Sequence, residues 1–281
     1  MMTRHYRVAG HTFAVSGQAE LFEQMGSYEP FVCERCEPLF SLTIERGVVP
    51  EYTEVYPSKK SSGILYGHTV SGNEVYDVVV RAKSEACLIC SKDYSEGRII
   101  MTGDTSTKKL DRLLKIMYTL ATAGKDTLLL HAVVVSSEGK GYIFLGRSGT
   151  GKSTHARLWL ENIEGTELVN DDYPVVRGGV VYGSPLLCKT PCYRNVSYPI
   201  GGIVRLSQAP YNKIRRLSGI EAYLNLYECV SRNLWYSFIA KDIEDSLHQT
   251  MNKLASTVPM WHLECLPDEA AARLCHDTIT R

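Results

Sequence analysis

The sequence predicts an α/β protein with a mixed sheet, preceded by a mainly antiparallel β domain. Short β-like runs such as HTFAVSG, LFSLTIERG and NEVYDVVVRA fill residues 1–104, and turn-forming residues separate them. Residues 142–160, YIFLGRSGTGKSTHARLWL, then read as a strand, a glycine-rich loop and a helix. Helical periodicity dominates from about residue 207, as in KDIEDSLHQTMNKLAS. We therefore predict two domains, 1–104 and 105–281.

A helix is predicted where the two domains join. It opens at Thr105 or Ser106 and ends at Gly124. Its apolar residues recur at helical spacing, namely Leu110, Leu113, Leu114, Met117 and Leu120. A stripe of this kind is typical of a core-facing helix.

Composition excludes several classes of protein. The 281 residues are 44% hydrophobic, and 31 Lys and Arg balance 31 Asp and Glu, so no net charge favours nucleic acid or an anionic membrane. No apolar run is long enough to span a bilayer, and the start, MMTRHYRVAG, lacks the apolar core of a signal peptide. We expect a cytoplasmic protein without nucleic-acid or membrane partners.

Two cysteine pairs, Cys33 with Cys36 and Cys87 with Cys90, have the spacing of zinc ligands. The second pair lies in EACLICSK, which reads as a strand, and a strand would send Cys87 and Cys90 to opposite faces. The pattern therefore favours reduced, mostly buried thiols over a four-thiolate zinc site.

A tight hairpin is predicted directly before the glycine-rich loop. In TLLLHAVVVSSEGKGYIFLG, two apolar runs flank SSEGKG, a link too short for a parallel crossover. If Ser136 faces Tyr142, His131 lies opposite Arg147. The hairpin thus carries His131 to the mouth of the loop.

The loop GRSGTGKS matches the phosphate-binding pattern G-x-x-x-x-G-K-[ST] in full. Its glycines let backbone N–H groups converge on a phosphate, and the following helix adds the positive end of its dipole. Lys152 would reach the β- and γ-phosphates of a nucleotide, and the Ser153 hydroxyl would ligate Mg²⁺. The predicted nucleotide contacts are Gly146, Ser148, Gly149, Thr150, Gly151, Lys152, Ser153 and Thr154.

Two adjacent aspartates, Asp171 and Asp172, end the next predicted strand in TELVNDDYPVV. Strand, helix and strand would form one right-handed βαβ unit, so both carboxylates would emerge at the same sheet edge as the loop. There, one aspartate can hold Mg²⁺ and the other can act as general base toward a hydroxyl.

A basic stretch follows, since residues 173–220 contain no Asp or Glu. Its basic residues are Arg177, Lys189, Arg194, Arg205, Lys213, Arg215 and Arg216. Lys189 and Arg194, in turn-rich segments, are the best candidates for contacting phosphate or an anionic substrate. The alternative is that these charges are merely solvated.

GRSGTGKST, LVNDD and a histidine one short hairpin upstream together resemble the catalytic domain of HPr kinase/phosphorylase, which is similar to the nucleotide-binding part of phosphoenolpyruvate carboxykinase. The resemblance covers roughly residues 125–210. It implies an ATP- and Mg²⁺-dependent kinase that phosphorylates a serine of the HPr protein, and it suggests a homo-oligomer. By motif match, it also implies Asp171 as the base, Asp172 and Ser153 as metal ligands, and His131 near the transferred phosphate.

The chain also departs from that family. The segment Tyr198–Ile203 contains no acidic residue where the family carries a glutamate, and the C-terminal part does not resemble HPr-docking helices. A small-molecule hydroxyl such as that of serine is therefore an alternative acceptor to an HPr-like protein.

Two other functions compete with the kinase. One is a nucleotide-binding regulator without phosphotransfer, although the aspartate pair argues against it because binding alone needs no base. The other is phosphoenolpyruvate carboxykinase activity, which needs a larger scaffold.

Overall fold

A computed structural model describes residues 1–55, 62–103, 106–187, 190–231 and 241–281. The chain divides into two compact units, Met1–Thr122 and Ala123–Arg281, and both contain a mixed sheet with helices. Within the described ranges, no helix has the length and apolar character needed to cross a membrane.

In its described residues, the first unit has a nine-stranded sheet and three helices. Its elements are β1 (Met2–Val8), β2 (His11–Gly17), α1 (Ala19–Gln24), a 3₁₀ helix (Gly26–Phe31), β3 (Val32–Cys33), β4 (Phe40–Arg46), β5 (Thr53–Glu54), β6 (Gly63–His68), β7 (Glu74–Val80), β8 (Lys83–Cys90), β9 (Glu96–Met101) and α2 (Thr107–Thr122). The strand order is β3-β1-β2-β4-β9-β8-β7-β6-β5. Most neighbours are antiparallel, as predicted, but β4 pairs in parallel with both β2 and β9.

Helix α2 belongs to the first unit, so the units divide one helix later than the predicted boundary at 104/105. The apolar stripe of α2 is buried as expected, and the helix packs against β8 and β9. The Tyr118 hydroxyl also donates a hydrogen bond of 2.9 Å to the carbonyl of Val8 on β1. The apolar stripe of α2 therefore packs on the first sheet. The sequence pattern does not specify this partner.

The two cysteine pairs do not form a shared zinc site. Cys33 lies on β3 at one edge of the first sheet, whereas Cys87 and Cys90 are buried on β8, five strand positions away. Five spacings of about 4.8 Å separate the pairs by roughly 20 Å or more, which excludes a shared zinc ion.

The second unit is a sheet with helices on both faces. Its elements are β10 (Thr127–Leu129), β11 (Ala132–Ser137), β12 (Lys140–Leu145), α3 (Lys152–Asn162), β13 (Glu167–Asn170), β14 (Val175–Arg177), β15 (Val180–Tyr182), β16 (Ser197–Gln208), β17 (Lys213–Leu217), α4 (Gly219–Ser231), α5 (Lys241–Thr257), β18 (Met260–Cys265) and α6 (Glu269–Ile279). The strand order is β10-β14-β15-β16-β12-β11-β13, and β18 joins β16 and β17.

Alternating residues of the central strands build two cores. Ile143 of β12 belongs to one core together with Leu226 of α4 and Met251 of α5. Phe144, the next residue, packs with Trp159 of α3 in the other core, which α6 also covers. The period of two along β12 therefore anchors α3 on one face and α4 and α5 on the other.

The predicted hairpin of β11 and β12 is present, but its register differs by one residue from the prediction. Val135, rather than Ser136, faces Tyr142. The turn consists of Glu138 and Gly139 alone, both at positive φ (50° and 73°), which is the geometry of a two-residue hairpin loop. A two-residue turn fixes the register that the sequence left open.

Candidate active site

The glycine-rich loop and the aspartate pair lie at the same edge of the second sheet, as predicted. Strands β12 and β13 both run antiparallel to β11, which lies between them, so they are parallel to each other. The loop follows the carboxyl end of β12, and Asp171 and Asp172 follow the carboxyl end of β13. The two strands of the predicted strand–helix–strand unit are therefore not neighbours in the sheet, because β11 lies between them. His131 directly precedes β11, so it lies between the loop and the aspartate pair.

Backbone conformation shapes the loop. Gly149 and Gly151 adopt φ values of +84° and +97°, in the left-handed region that favours glycine. A Cβ at Gly146 would lie 2.4 Å from Oγ1 of Thr150, so this position needs glycine for space. The Thr150 amide and hydroxyl both donate to the carbonyl of Arg147, at 3.1 and 2.8 Å. The loop is thus closed by hydrogen bonds between its own residues.

The amino-terminal end of α3 points its N–H groups into this loop. Gly151 is the N-cap, and no side chain caps the helix there. Uncapped first-turn N–H groups and the helix dipole together make a favourable site for an anion. Ser153 is exposed on this turn and Thr154 is half-buried, while Ser148 is exposed in the loop.

Lys152 lies at the centre of the site. Its side chain is buried, and Nζ donates to the carbonyls of Gly146 at 2.8 Å and Arg147 at 3.3 Å. Nζ also lies 3.3 Å from Nε2 of His131. These contacts hold the ammonium group across the mouth of the loop, where a bound phosphate would meet it.

His131 connects the loop to the aspartate pair. Its Nε2 faces Lys152, and its Nδ1 lies 2.9 Å from Oδ1 of Asp172. The His131 amide donates to the carbonyl of Cys229 on α4 at 3.4 Å, which ties the residue to the helix beneath. The structure therefore brings Lys152, His131 and Asp172 into one contiguous group.

Three residues that the sequence analysis did not single out hold the aspartate pair. The Asn170 side chain accepts from the amide of Asp172 at 3.0 Å and donates to the hydroxyl of Ser184 at 3.3 Å. One oxygen of Asp171 accepts from the amide of Thr190 at 2.6 Å. Asn170 and Ser184 are fully buried polar residues, and the only sequence signal was an Asn directly before the aspartates.

The residues present fit a magnesium ion of the predicted kind. Mg²⁺ binds oxygen ligands, typically one or two protein side chains together with phosphates and water. The Asp172 carboxylate and the Ser153 hydroxyl supply such oxygens at this edge. No group of three or more His, Cys, Asp or Glu side chains that could hold a metal ion occurs in the part of the chain that the structure describes.

The structure does not bring Arg194 to the loop, and Lys189 lies outside the described residues. Arg194 pairs with Glu167 at 2.8 Å and donates to the Leu168 carbonyl at 3.4 Å. Both partners lie at the start of β13, the end opposite to the aspartates. Three other basic residues of the stretch have partners outside it: Arg205 pairs with Glu228, Arg215 pairs with Glu221, and Arg216 stacks on Trp261.

Another residue missed by the sequence analysis, Glu228 of α4, pairs with two arginines beside the loop. Arg147 donates to Oε1 at 2.7 Å, and Arg205 donates to Oε2 at 2.9 Å. Burial raises the pKa of the adjacent Cys229 thiol, which keeps it protonated rather than nucleophilic. No local sequence motif links Glu228 to its two arginines, because the three residues lie on a loop, a strand and a helix that are far apart in the sequence.

The chain was compared with family models and with curated proteins. No family model matches it. No curated protein matches it either. The functional conclusion therefore depends on the site itself.

Proposed function

We propose that the protein is an ATP- and Mg²⁺-dependent kinase that transfers the γ-phosphoryl group to a serine-type hydroxyl of an HPr-like protein or a small molecule. One observation carries the proposal. His131 lies within 3.3 Å of the loop lysine, Lys152, and within 2.9 Å of Asp172. Transfer to a hydroxyl requires a phosphate-binding loop close to a carboxylate, and here one histidine links the two.

The loop and Lys152 bind and orient the phosphates. The amino-terminal N–H groups of α3 face the β-phosphate region, and Lys152 neutralises charge that develops on the transferring group. Lys152 already makes hydrogen bonds to the loop carbonyls, so its position is set before the nucleotide binds. This preorganisation lowers the cost of reaching the transition state.

Asp172 and Ser153 are the residues that would hold Mg²⁺. The ion would supply positive charge that offsets the charge of the nucleotide phosphates. His131 contacts Asp172 through Nδ1 and Lys152 through Nε2, so it lies between the carboxylate that would hold the ion and the lysine that would meet the phosphates.

Asp171 accepts the proton of the acceptor hydroxyl. The Thr190 amide holds one of its oxygens, so the carboxylate has a fixed direction. Its burial excludes water from the base. A positioned carboxylate of this kind typically contributes about 10²- to 10⁴-fold to the rate.

The test is ADP release from Mg-ATP by the purified protein, alone and with HPr protein or L-serine added. We expect acceptor-dependent release from the wild type and a loss of at least about 100-fold in the Asp171→Asn variant. Asp277→Asn is the matched control, because Asp277 is an exposed aspartate on α6 of the same unit.

Acceptor-dependent release that Asp171→Asn leaves unchanged would contradict the role of Asp171. Nucleotide binding without release, with every acceptor, would instead favour the regulator without phosphotransfer.

A further inference from the structure

Cys33 and Cys36, in the first unit, form a cysteine pair that the proposed function does not use. Cys33 is the last residue of β3, and residues 34–36 continue without strand structure. The chain bends after Cys33, and a side-chain hydrogen bond joins the two thiols. Because a disulfide bond is about 2.05 Å long, thiols that are already in contact need only a small movement to form one.

The other pair, Cys87 and Cys90, has the same spacing but a different geometry. Both residues lie within β8, and both are buried. Three steps along an extended strand separate two Cα atoms by about 10 Å, which exceeds the limit of about 7 Å for a disulfide. The end of β3 is therefore what distinguishes the first pair from the second.

Cys33 and Cys36 are half-buried and line an open cleft of about 1230 Å³. The cleft lies on one face of the first sheet. On β2, the ring of Phe13 contacts Tyr118 of α2, so the next residue, Ala14, points to the other face. Ala14 lines the cleft, which is therefore on the face opposite to α2. A small molecule can approach the two thiols from this side.

Two basic side chains lie on the same face of the sheet as Cys33. His5 of β1 is directly opposite Cys33 in the antiparallel pairing, so the two side chains are neighbours. Arg7 follows His5 by two residues on the same strand and points to the same face. Basic groups near a thiol favour the thiolate, which is the nucleophile in reactions of cysteine.

The two thiols are not equivalent. Burial is the main cause that raises the pKa of Cys33, the hydrogen bond with Cys36 raises it further, and Arg7 opposes both effects. The Cys33 thiol therefore keeps its proton in the reduced pair. This leaves Cys36 as the thiol that ionises and attacks first, with Cys33 as the second nucleophile.

We propose that Cys33 and Cys36 form a thiol–disulfide exchange site that reacts with small-molecule disulfides such as oxidised glutathione. The Cys36 thiolate attacks one sulfur of the external disulfide, whose S–S bond breaks and releases a thiolate. Cys33 then attacks the Cys36 sulfur of the mixed disulfide and releases the second thiolate. The two thiol protons pass to the released thiolates, so the protein is oxidised by two electrons and the external disulfide is reduced to two thiols.

The test exposes the reduced full-length protein to a glutathione redox buffer, blocks the remaining thiols by alkylation and maps the peptides by mass spectrometry. We expect the disulfide between Cys33 and Cys36 to form at least about tenfold faster than any modification of Cys87 or Cys90. Cys87 and Cys90 are the matched internal control, because they share the spacing and belong to the same unit. This measurement on the wild type does not depend on the folding of any variant.

Two variants test the order of the steps. Cys33→Ser should stop the reaction at the mixed disulfide, so that glutathione stays attached to Cys36. Cys36→Ser should leave Cys33 at least about tenfold less reactive than Cys36 is in the first variant. Equal or greater reactivity of Cys33 would overturn the assigned order of attack.

The wild-type result decides the proposal as a whole. A pair that stays reduced at every ratio of oxidised to reduced glutathione would overturn it. So would oxidation of Cys33 and Cys36 that is no faster than modification of Cys87 and Cys90. Neither outcome would bear on the proposed kinase activity, which uses residues of the second unit.

Discussion

At the scale of single residues, His131 joins two groups that are far apart in the sequence. It contacts Lys152 on one side and Asp172 on the other. The identities of these three residues were predicted from the loop pattern, the hairpin and the aspartate pair. Asn170 and Ser184, which support Asp172, were not predicted, and neither was Glu228, which pairs with Arg147 and Arg205. Contacts between elements that are distant in the sequence leave no periodic signal.

Also at this scale, His155 predicts a pH dependence of stability. Burial lowers its pKa from 6.5 to about 4, so the unfolded chain binds a proton that the folded chain does not bind between these values. Its contribution is fully present above about pH 6.5 and is lost as the pH falls toward 4. We expect the free energy of unfolding to decrease by roughly 2–3 kcal/mol between pH 7.5 and 4.5 from this residue.

Denaturant unfolding of the wild type and of His155→Gln at several pH values measures this effect. The variant should show a shallower loss of stability at acidic pH. His262, whose pKa is also lowered by burial, titrates in both proteins and so cancels in the comparison. Identical pH profiles would show that His155 is not a buried neutral histidine.

At the scale of elements, alanine variants of two glycines distinguish an effect on backbone strain from an effect on nucleotide binding. Gly151 begins α3 at φ +97°, and Gly139 lies in the hairpin turn at φ +73°; both have open space where a Cβ would be. Alanine at either position should cost about 1 kcal/mol of stability, because each adopts a left-handed conformation. Only Gly151→Ala should also weaken Mg-ATP binding, by about tenfold, since it would shift the N–H groups proposed to bind the phosphates.

Thermal unfolding and nucleotide titration of both variants check this prediction. If Gly139→Ala weakened ATP binding as much as Gly151→Ala, the effect would come from general destabilisation rather than from the loop.

The elements themselves were predictable where the signal was local. The strand, loop and helix around residues 142–160 follow from an apolar run, a glycine motif and helical spacing within one short window. The hairpin register could not be predicted in the same way, because Glu138 adopts a positive φ, which is uncommon for glutamate. A one-residue difference at the turn then shifts every facing pair along β11 and β12.

At the scale of the whole molecule, strand order is what the sequence left undetermined. The pattern predicted parallel directions for β12 and β13, but not that β11 lies between them. Helix α2 likewise has an unmistakable apolar face, yet nothing local says that β8 and β9 cover it. Such choices depend on non-local packing, which a single sequence encodes only through residue type.

The measurement that tests the account most directly is the destination of the γ-phosphate. Wild-type protein is incubated with Mg²⁺, γ-labelled ATP and either HPr protein or L-serine, with Asp171→Asn and Lys152→Ala as inactive controls. We predict label in the acceptor with the wild type and a loss of at least about 100-fold in both variants. Label that appears only as inorganic phosphate, or remains in bound ATP with either acceptor, would contradict phosphoryl transfer to a serine-type hydroxyl.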